Sequence, residues 1–234
     1  MEQLHRHISA TWSGNPIITH MRTADPSPGV WNGRIWLYCS HDQDDAEGYG
    51  TMDGYHVFSS SDLVHWHDHG EVLHSRDVAW GIKEGGWMWA PDCAFRDGIY
   101  YFYFPHFDRD RQWRVGVATS SSPTGPFTDI GHWIEGTDGI DPCCFVDDDG
   151  SAYLHWGARK MARLKDNMIE LAEEPRTLDC GTKLLRSVEG MYMHKRSGIY
   201  YYSWSDWQDE EYQGFYSMGP SPYGPFEYLS LIHI

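Results

Sequence analysis

Gly139-Ile-Asp-Pro-Cys-Cys-Phe-Val-Asp-Asp-Asp-Gly-Ser-Ala-Tyr-Leu-His-Trp156 is the stretch that decides the fold of this chain. An acid stands before proline at Asp141-Pro142, a turn dipeptide follows at Asp149-Gly150, and Ser151-Ala-Tyr-Leu-His-Trp156 reads as a strand. The same order recurs three times. Asp25-Pro26 precedes Asn32-Gly33 and Arg34-Ile-Trp-Leu-Tyr38, and Asp92 precedes Asp97-Gly98 and Ile99-Tyr-Tyr-Phe-Tyr-Phe104. Glu189-Gly190 precedes Ser197-Gly198 and Ile199-Tyr-Tyr-Tyr-Ser-Trp204. Asn-Gly, Asp-Gly and Ser-Gly between apolar runs signal hairpins, because glycine supplies the positive φ that tight turns need.

Successive acids at 25, 92, 141 and 189 lie 67, 49 and 48 residues apart. The units also close alike. Ala118-Thr-Ser-Ser-Ser-Pro-Thr-Gly-Pro-Phe127 is echoed by Ser217-Met-Gly-Pro-Ser-Pro-Tyr-Gly-Pro-Phe226, and Phe58-Ser-Ser-Ser-Asp-Leu-Val-His-Trp66 holds the same place in the first unit. Units of roughly 40–50 residues, each about four strands long, are the mark of propeller blades. A β-sandwich would also show short strands and regular turns, but it does not place an acid at the same point of every unit. A propeller does, since the innermost strand of each blade lines one central channel. The fold expected is therefore all-β, a propeller with about four blades present, in a single domain over residues 1–234. The last residues, Leu229-Ser-Leu-Ile-His-Ile234, fit no repeat and resemble a translated sequencing adapter, so a shortened gene with an artefactual tail is expected.

Composition agrees with an all-β chain: 12 Trp, 15 Tyr and 24 Gly among 234 residues. Trp and Tyr also stack on sugar rings, although core packing accounts for most of them equally well. A net charge of −16 argues against nucleic acid and anionic membrane surfaces as partners and is compatible with a neutral substrate. No apolar run at the N-terminus reads as a signal peptide, and nothing downstream has transmembrane length. Five cysteines without a CxxC read as buried free thiols in a reducing compartment, so a cytoplasmic location is expected.

Four carboxylates brought to one channel supply what breaking a glycosidic bond needs. One group must protonate the leaving oxygen while a carboxylate acts on the opposite face of the sugar. Burial or a neighbouring carboxylate keeps the acid protonated near neutral pH. Asp-Pro and Glu-Gly taken singly could each simply start a turn. Four in register favour the site. Glu189 has the longest reach and is the natural proton donor.

Taken together, Ala24-Asp25-Pro26-Ser27, Met88-Trp-Ala-Pro-Asp92, Gly139-Ile-Asp-Pro142 and Glu189-Gly190 before Lys195-Arg-Ser-Gly-Ile-Tyr-Tyr201 resemble glycoside hydrolase family 43. The resemblance runs from about Asn15 to Phe226 and lies nearest the β-xylosidases and α-L-arabinofuranosidases. It implies a five-bladed propeller and an inverting single displacement that releases terminal pentose from hemicellulose oligosaccharides. It implies Asp25 as general base, Glu189 as general acid, and Asp141 as the third carboxylate that tunes and orients the acid. Trp89 matches an aromatic wall for the terminal sugar, His41 a pocket side chain, and Asp92 a residue shaping the channel without catalytic duty. The substrate partner implied is a small oligosaccharide. No cofactor is required, and a structural calcium in the channel is compatible with the pattern. Two departures stand out: Met191 replaces the proline usual after Glu-Gly, and the fifth blade, with its arginine and histidine, is missing. A propeller short of one blade exposes two apolar faces, so poor stability and weak or no activity are expected of the chain as it stands.

Two other readings compete. One is a carbohydrate-binding propeller without catalysis, which has no need of the three acids. The other is a retaining fructosidase-type propeller, whose Arg-Asp-Pro and Glu-Cys are replaced here by Ile140-Asp141-Pro142 and Glu189-Gly190. His65, His67 and His69 read as a solvated strand face rather than metal ligands. Asp147-Asp-Asp-Gly150 lacks the spacing and distal Glu of a calcium loop and reads as a turn. The acidic stretch from His41 to Asp53 reads as a pocket rim. No Gly-x-Ser-x-Gly, P-loop or dinucleotide fingerprint is present. The choice between xylose and arabinose stays open.

Overall fold

Asn32 and Gly33 hold φ of 53° and 70°, Asp97 and Gly98 51° and 82°, Ser197 and Gly198 52° and 79°. Two successive positive φ values define the type I′ turn, whose twist matches that of the strands it joins. Three of the four expected hairpins therefore form through this turn. The fourth, at Asp147-Asp-Asp-Gly150, is longer: the Gly150 N–H donates to the Asp147 carbonyl at 2.9 Å, and the Asp147 N–H to Ser151 at 2.8 Å.

The computed structural model describes residues 14–44, 48–183, 185, 188–208 and 211–232. Its strands form four four-stranded antiparallel sheets, each taking its strands in chain order. The first holds β1 (Arg22–Trp31), β2 (Arg34–Asp42), β3 (Gly54–Ser60) and β4 (His67–His74). The second holds β5 (Asp92–Arg96), β6 (Ile99–Phe107), β7 (Trp113–Ser120) and β8 (Thr128–Trp133). The third holds β9 (Cys143–Val146), β10 (Ala152–Trp156), β11 (Lys160–Arg163) and β12 (Arg176–Thr177). The fourth holds β13 (Val188–Arg196), β14 (Ile199–Gln208), β15 (Glu211–Gly219) and β16 (Glu227–Ile232). The first strands are neighbours, β1 beside β5, β5 beside β9 and β9 beside β13. This is a four-blade propeller arrangement.

Side chains alternate along a strand, so each inner blade buries both faces. On β6, Tyr100, Phe102 and Phe104 pack towards the first blade with Tyr38, Tyr55 and Val57, while Tyr103 packs towards the third. On β10, Ala152, Leu154 and Trp156 join the core shared with the second blade, and Tyr153 joins that shared with the fourth. The Gly-Pro-Phe closures seal these cores: Phe127 lies against Tyr38 and Phe102, and Phe226 against Tyr202. Of the stretch that read as outside the repeat, residues 230–232 pair with β15 and residue 229 sits at an irregularity of the same strand, the outer one of the fourth blade. The last two residues of that tail lie outside the described residues.

His67 and His69 sit on β4, the outer strand of the first blade, as their reading as a strand face requires. His69 shares a 2.8 Å hydrogen bond with Ser59, and His65 one of 2.7 Å with Asp62. Asp147 receives Lys195 at 2.6 Å and the Tyr200 hydroxyl, which ties its turn to the fourth blade.

Candidate active site

In the β1–β2 ladder, Ala24 pairs with Ser40 and Ser27 with Tyr38, so β1 carries one extra residue where Asp25 stands. The β13–β14 ladder repeats this, with Glu189 opposite Ser205 and Tyr192 opposite Ser203. Such bulges bend a strand locally and re-aim a side chain. Asp25, Asp141 and Gly190 take φ of 54°, 56° and 59°, the left-handed region that Asp tolerates better than most residues and Gly adopts freely. Irregular backbone thus turns the acids of the first, third and fourth blades into the channel mouth.

Asp25, Asp92, Asp141 and Glu189 all line one cavity of about 520 Å³, with Trp89 as an aromatic wall. This volume lies within the range of small-molecule sites. Asp25 opens onto the cavity on one side and has protein on its others. Burial pushes its carboxyl up from the ordinary aspartate range, and the charges of Glu189 and Asp42 add to the shift. Burial likewise pushes Asp141 up to about 6, helped by the charges of Asp25 and Glu189 and opposed by the N–H groups of Gly190 and Ala90. The Gly190 N–H donates to Asp141 Oδ2 at 3.0 Å.

Asp92 plays another part. It is 5% exposed, accepts the Ser27 hydroxyl on Oδ1, and accepts the Cys144 N–H on Oδ2 at 2.5 Å. One carboxylate on the second blade therefore holds the first and third together. The Trp89 indole N–H donates to the Tyr49 carbonyl at 2.9 Å, and its ring lies 5.3 Å from Trp113 and 6.2 Å from Trp87. The stretch read as a pocket rim thus braces the wall through Tyr49; its residues 45–47 lie outside the described residues. His41 is placed apart from the cavity lining. Its ring is 4.9 Å from His56, and burial holds its imidazole below the usual range.

Sequence reasoning did not single out Tyr212, Ser205, Tyr192 or Ser27. Tyr212 donates its hydroxyl to Glu189 Oε2 at 2.9 Å, and Ser205 donates to the Glu189 carbonyl at 3.2 Å. Tyr212 and Ser205 leave no trace in the sequence beyond membership of the two strands that follow that of Glu189. Tyr192 shares the Glu189 strand, and Ser27 stands only as the last residue of the Ala24-Asp25-Pro26-Ser27 motif.

The chain matches the family model described as glycosyl hydrolases family 43 over residues 13–230. The chain belongs to this family. Family 43 relatives include a xylosidase/arabinosidase 43A from Humicola insolens, 38% identical over 91% of this chain and 80% of its own length. A xylosidase/arabinosidase from Bacteroides ovatus is 33% identical over 89% of this chain and 77% of its own. Among solved structures, the family 43 enzyme of Xanthomonas citri superposes with a TM-score of 0.84 at 35% identity, covering 97% of this chain and 77% of that one. CoXyl43, a β-xylosidase/α-arabinofuranosidase from a compost metagenome, superposes with a TM-score of 0.83 at 32% identity, covering 96% of this chain and 81% of that one. It was solved with xylotriose in a calcium-free form.

A calcium ion takes six to eight oxygen ligands. In the channel of this family 43 chain both oxygens of Asp92 already accept hydrogen bonds. No group of three or more His, Cys, Asp or Glu among the described residues is arranged to hold a metal.

Proposed function

We propose that this family 43 glycosidase releases terminal pentose, β-D-xylose or α-L-arabinofuranose, from hemicellulose oligosaccharides with inversion. The observation that carries this reading is the convergence of Asp25, Asp141 and Glu189 on one cavity beside Trp89. The relatives named above are xylosidases and arabinosidases, and the Xanthomonas citri enzyme has been solved with xylose and with xylotriose.

In this mechanism Trp89 stacks on the terminal sugar. Asp25 accepts a proton from a water as that water bonds to the anomeric carbon. Glu189 gives its proton to the glycosidic oxygen as the bond to the leaving sugar breaks. Burial raises Asp25 above the ordinary aspartate range, which makes its carboxylate a better base. Asp141, held by the Gly190 N–H, fixes the backbone beside Glu189 and adds negative charge next to it. His41 is assigned to the rim on the face of the first blade turned away from the second.

The whole protein is read as a five-bladed propeller, with the fifth blade between the first and the fourth. The relatives' greater length supports this, as do three interblade cores among the described residues of four blades. Five free cysteines, four of them buried, support a reducing, cytoplasmic location.

Proton NMR of the first-formed sugar tests the reading. Release of α-xylose from a β-xyloside is expected, together with loss of turnover in Asp25→Asn and Glu189→Gln. Initial release of the β-anomer would overturn inversion, and undiminished turnover in both variants would overturn the site.

A further inference from the structure

Tyr212 on β15 faces Trp207 across the β14–β15 hairpin, with ring centroids 4.9 Å apart and planes at 72°. The two rings are 60% and 46% exposed, so neither fills an interblade core. Tyr212 nevertheless lines the cavity, and its hydroxyl donates to Glu189 Oε2 at 2.9 Å. Ser205, on the same hairpin, donates to the Glu189 carbonyl at 3.2 Å. One pair of strands thus grips this residue at its backbone and at one carboxyl oxygen.

A phenol has a single proton to donate, and a protonated carboxyl likewise carries one. With the phenol proton directed at Oε2, the carboxyl proton is favoured on the other oxygen. We propose that Tyr212 is a positioning residue for the acid: its hydroxyl sets the transferable proton of Glu189 on Oε1 and stabilises the carboxylate left behind. The assignment rests on the reading of Glu189 as general acid. As the glycosidic bond breaks, Oε1 gives its proton to the departing oxygen, and the negative charge spreads over both carboxyl oxygens. The bond from Tyr212 to Oε2 then becomes charge-assisted and strengthens where charge develops. Tyr212 keeps its own proton throughout. Its bond to Glu189 pushes the phenol above its ordinary range, so it stays a donor over the working pH.

Tyr212→Phe removes the hydroxyl, keeps the ring, and alters an exposed hairpin position that the fold does not depend on. Two pentosides of one sugar are compared, an unactivated disaccharide and a dinitrophenyl glycoside whose leaving group departs without a proton. Turnover of the disaccharide is expected to fall about tenfold, the loss of one hydrogen bond to a developing charge. Turnover of the dinitrophenyl glycoside and both KM values are expected to change by less than about twofold, under 0.5 kcal/mol. The high-pH limb of the disaccharide kcat/KM profile moves to higher pH. Equal losses on both substrates would overturn the proposal and make Tyr212 a sugar-binding or structural residue.

A second measurement needs no turnover. In protein labelled at the glutamate carboxyl carbon, the Glu189 resonance is identified by its absence from Glu189→Gln. It is expected to titrate at higher pH in Tyr212→Phe than in wild type, and superimposable curves would overturn the proposal. A Glu189→Gln chain that hydrolyses the disaccharide at the wild-type rate would instead refute the acid itself, and the Tyr212 assignment with it.

Discussion

The Gly190 N–H donates to Asp141 Oδ2 at 3.0 Å, so the third carboxylate is tied to the residue next to Glu189. Asp141 itself is pushed up to about 6 by burial and by the charges of Asp25 and Glu189, from an ordinary 3.8. Between those two values the folded chain binds more protons at this position than the unfolded chain. The contribution to stability is therefore complete below about pH 3.8 and lost as pH rises through about 6. Asp141→Asn abolishes this titration. The stability of wild type relative to Asp141→Asn is expected to fall by about 2–3 kcal/mol between pH 3.5 and 7. Urea unfolding across that range measures it, and parallel curves would refute the assignment.

Asp92 joins Ser27 of the first blade to Cys144 of the third, and a variant here is expected to lose stability rather than turnover. Asp92→Asn replaces one acceptor with a donor facing a donor. It is expected to cost about 2 kcal/mol in chemical denaturation. KM for a pentoside should stay within about twofold of wild type, below 0.5 kcal/mol. A stable variant without turnover would move Asp92 into the catalytic set.

Trp89 is held by Tyr49 and Trp113 at the wall of the cavity. Trp89→Ala on a Glu189→Gln background is expected to weaken xylose binding about tenfold, the worth of one aromatic contact. Trp89→Phe should recover most of it. Calorimetric titration decides, and unchanged affinity in Trp89→Ala would remove the wall from the site.

Gly86 has φ of 76°, and a Cβ placed there would lie 2.2 Å from the Gly50 carbonyl oxygen. Neither backbone can yield cheaply. Gly86→Ala is expected to lower stability by about 2 kcal/mol or more and to displace the Tyr49 turn that braces Trp89. A thermal melt together with xylose titration would show both effects. A variant that kept wild-type melting and affinity would show that this approach carries no strain.

Much of the fold was legible because its signals are local. Asn32-Gly33, Asp97-Gly98 and Ser197-Gly198 pair a turn-tolerant residue with glycine, and all three adopt the left-handed pair of φ values that type I′ turns demand. Asp147-Asp-Asp-Gly150 did not follow that rule: it closes through a longer turn, and the Asp147 carboxylate is taken up by Lys195 and Tyr200 of another blade. Asp25, Asp141 and Glu189 were visible because each opens a repeat unit, and equivalent places in a propeller meet at its axis. Tyr212 was not visible. It reaches Glu189 through the β14–β15 register, which places it across from Trp207 and 23 residues beyond the acid.

By itself, the sequence determined that this protein builds repeated antiparallel sheets with an acid at the inner end of each. Turn dipeptides and two-residue alternation act over a few residues and need no partner far along the chain. Only the tertiary structure decided what each acid does there. Asp92 becomes a strut because Ser27 and Cys144 close on it, while Asp141 is pushed up because burial removes water and sets it near Asp25 and Glu189. Desolvation and charge proximity belong to the packed blades, and they exist only once residues far apart in the chain share one channel.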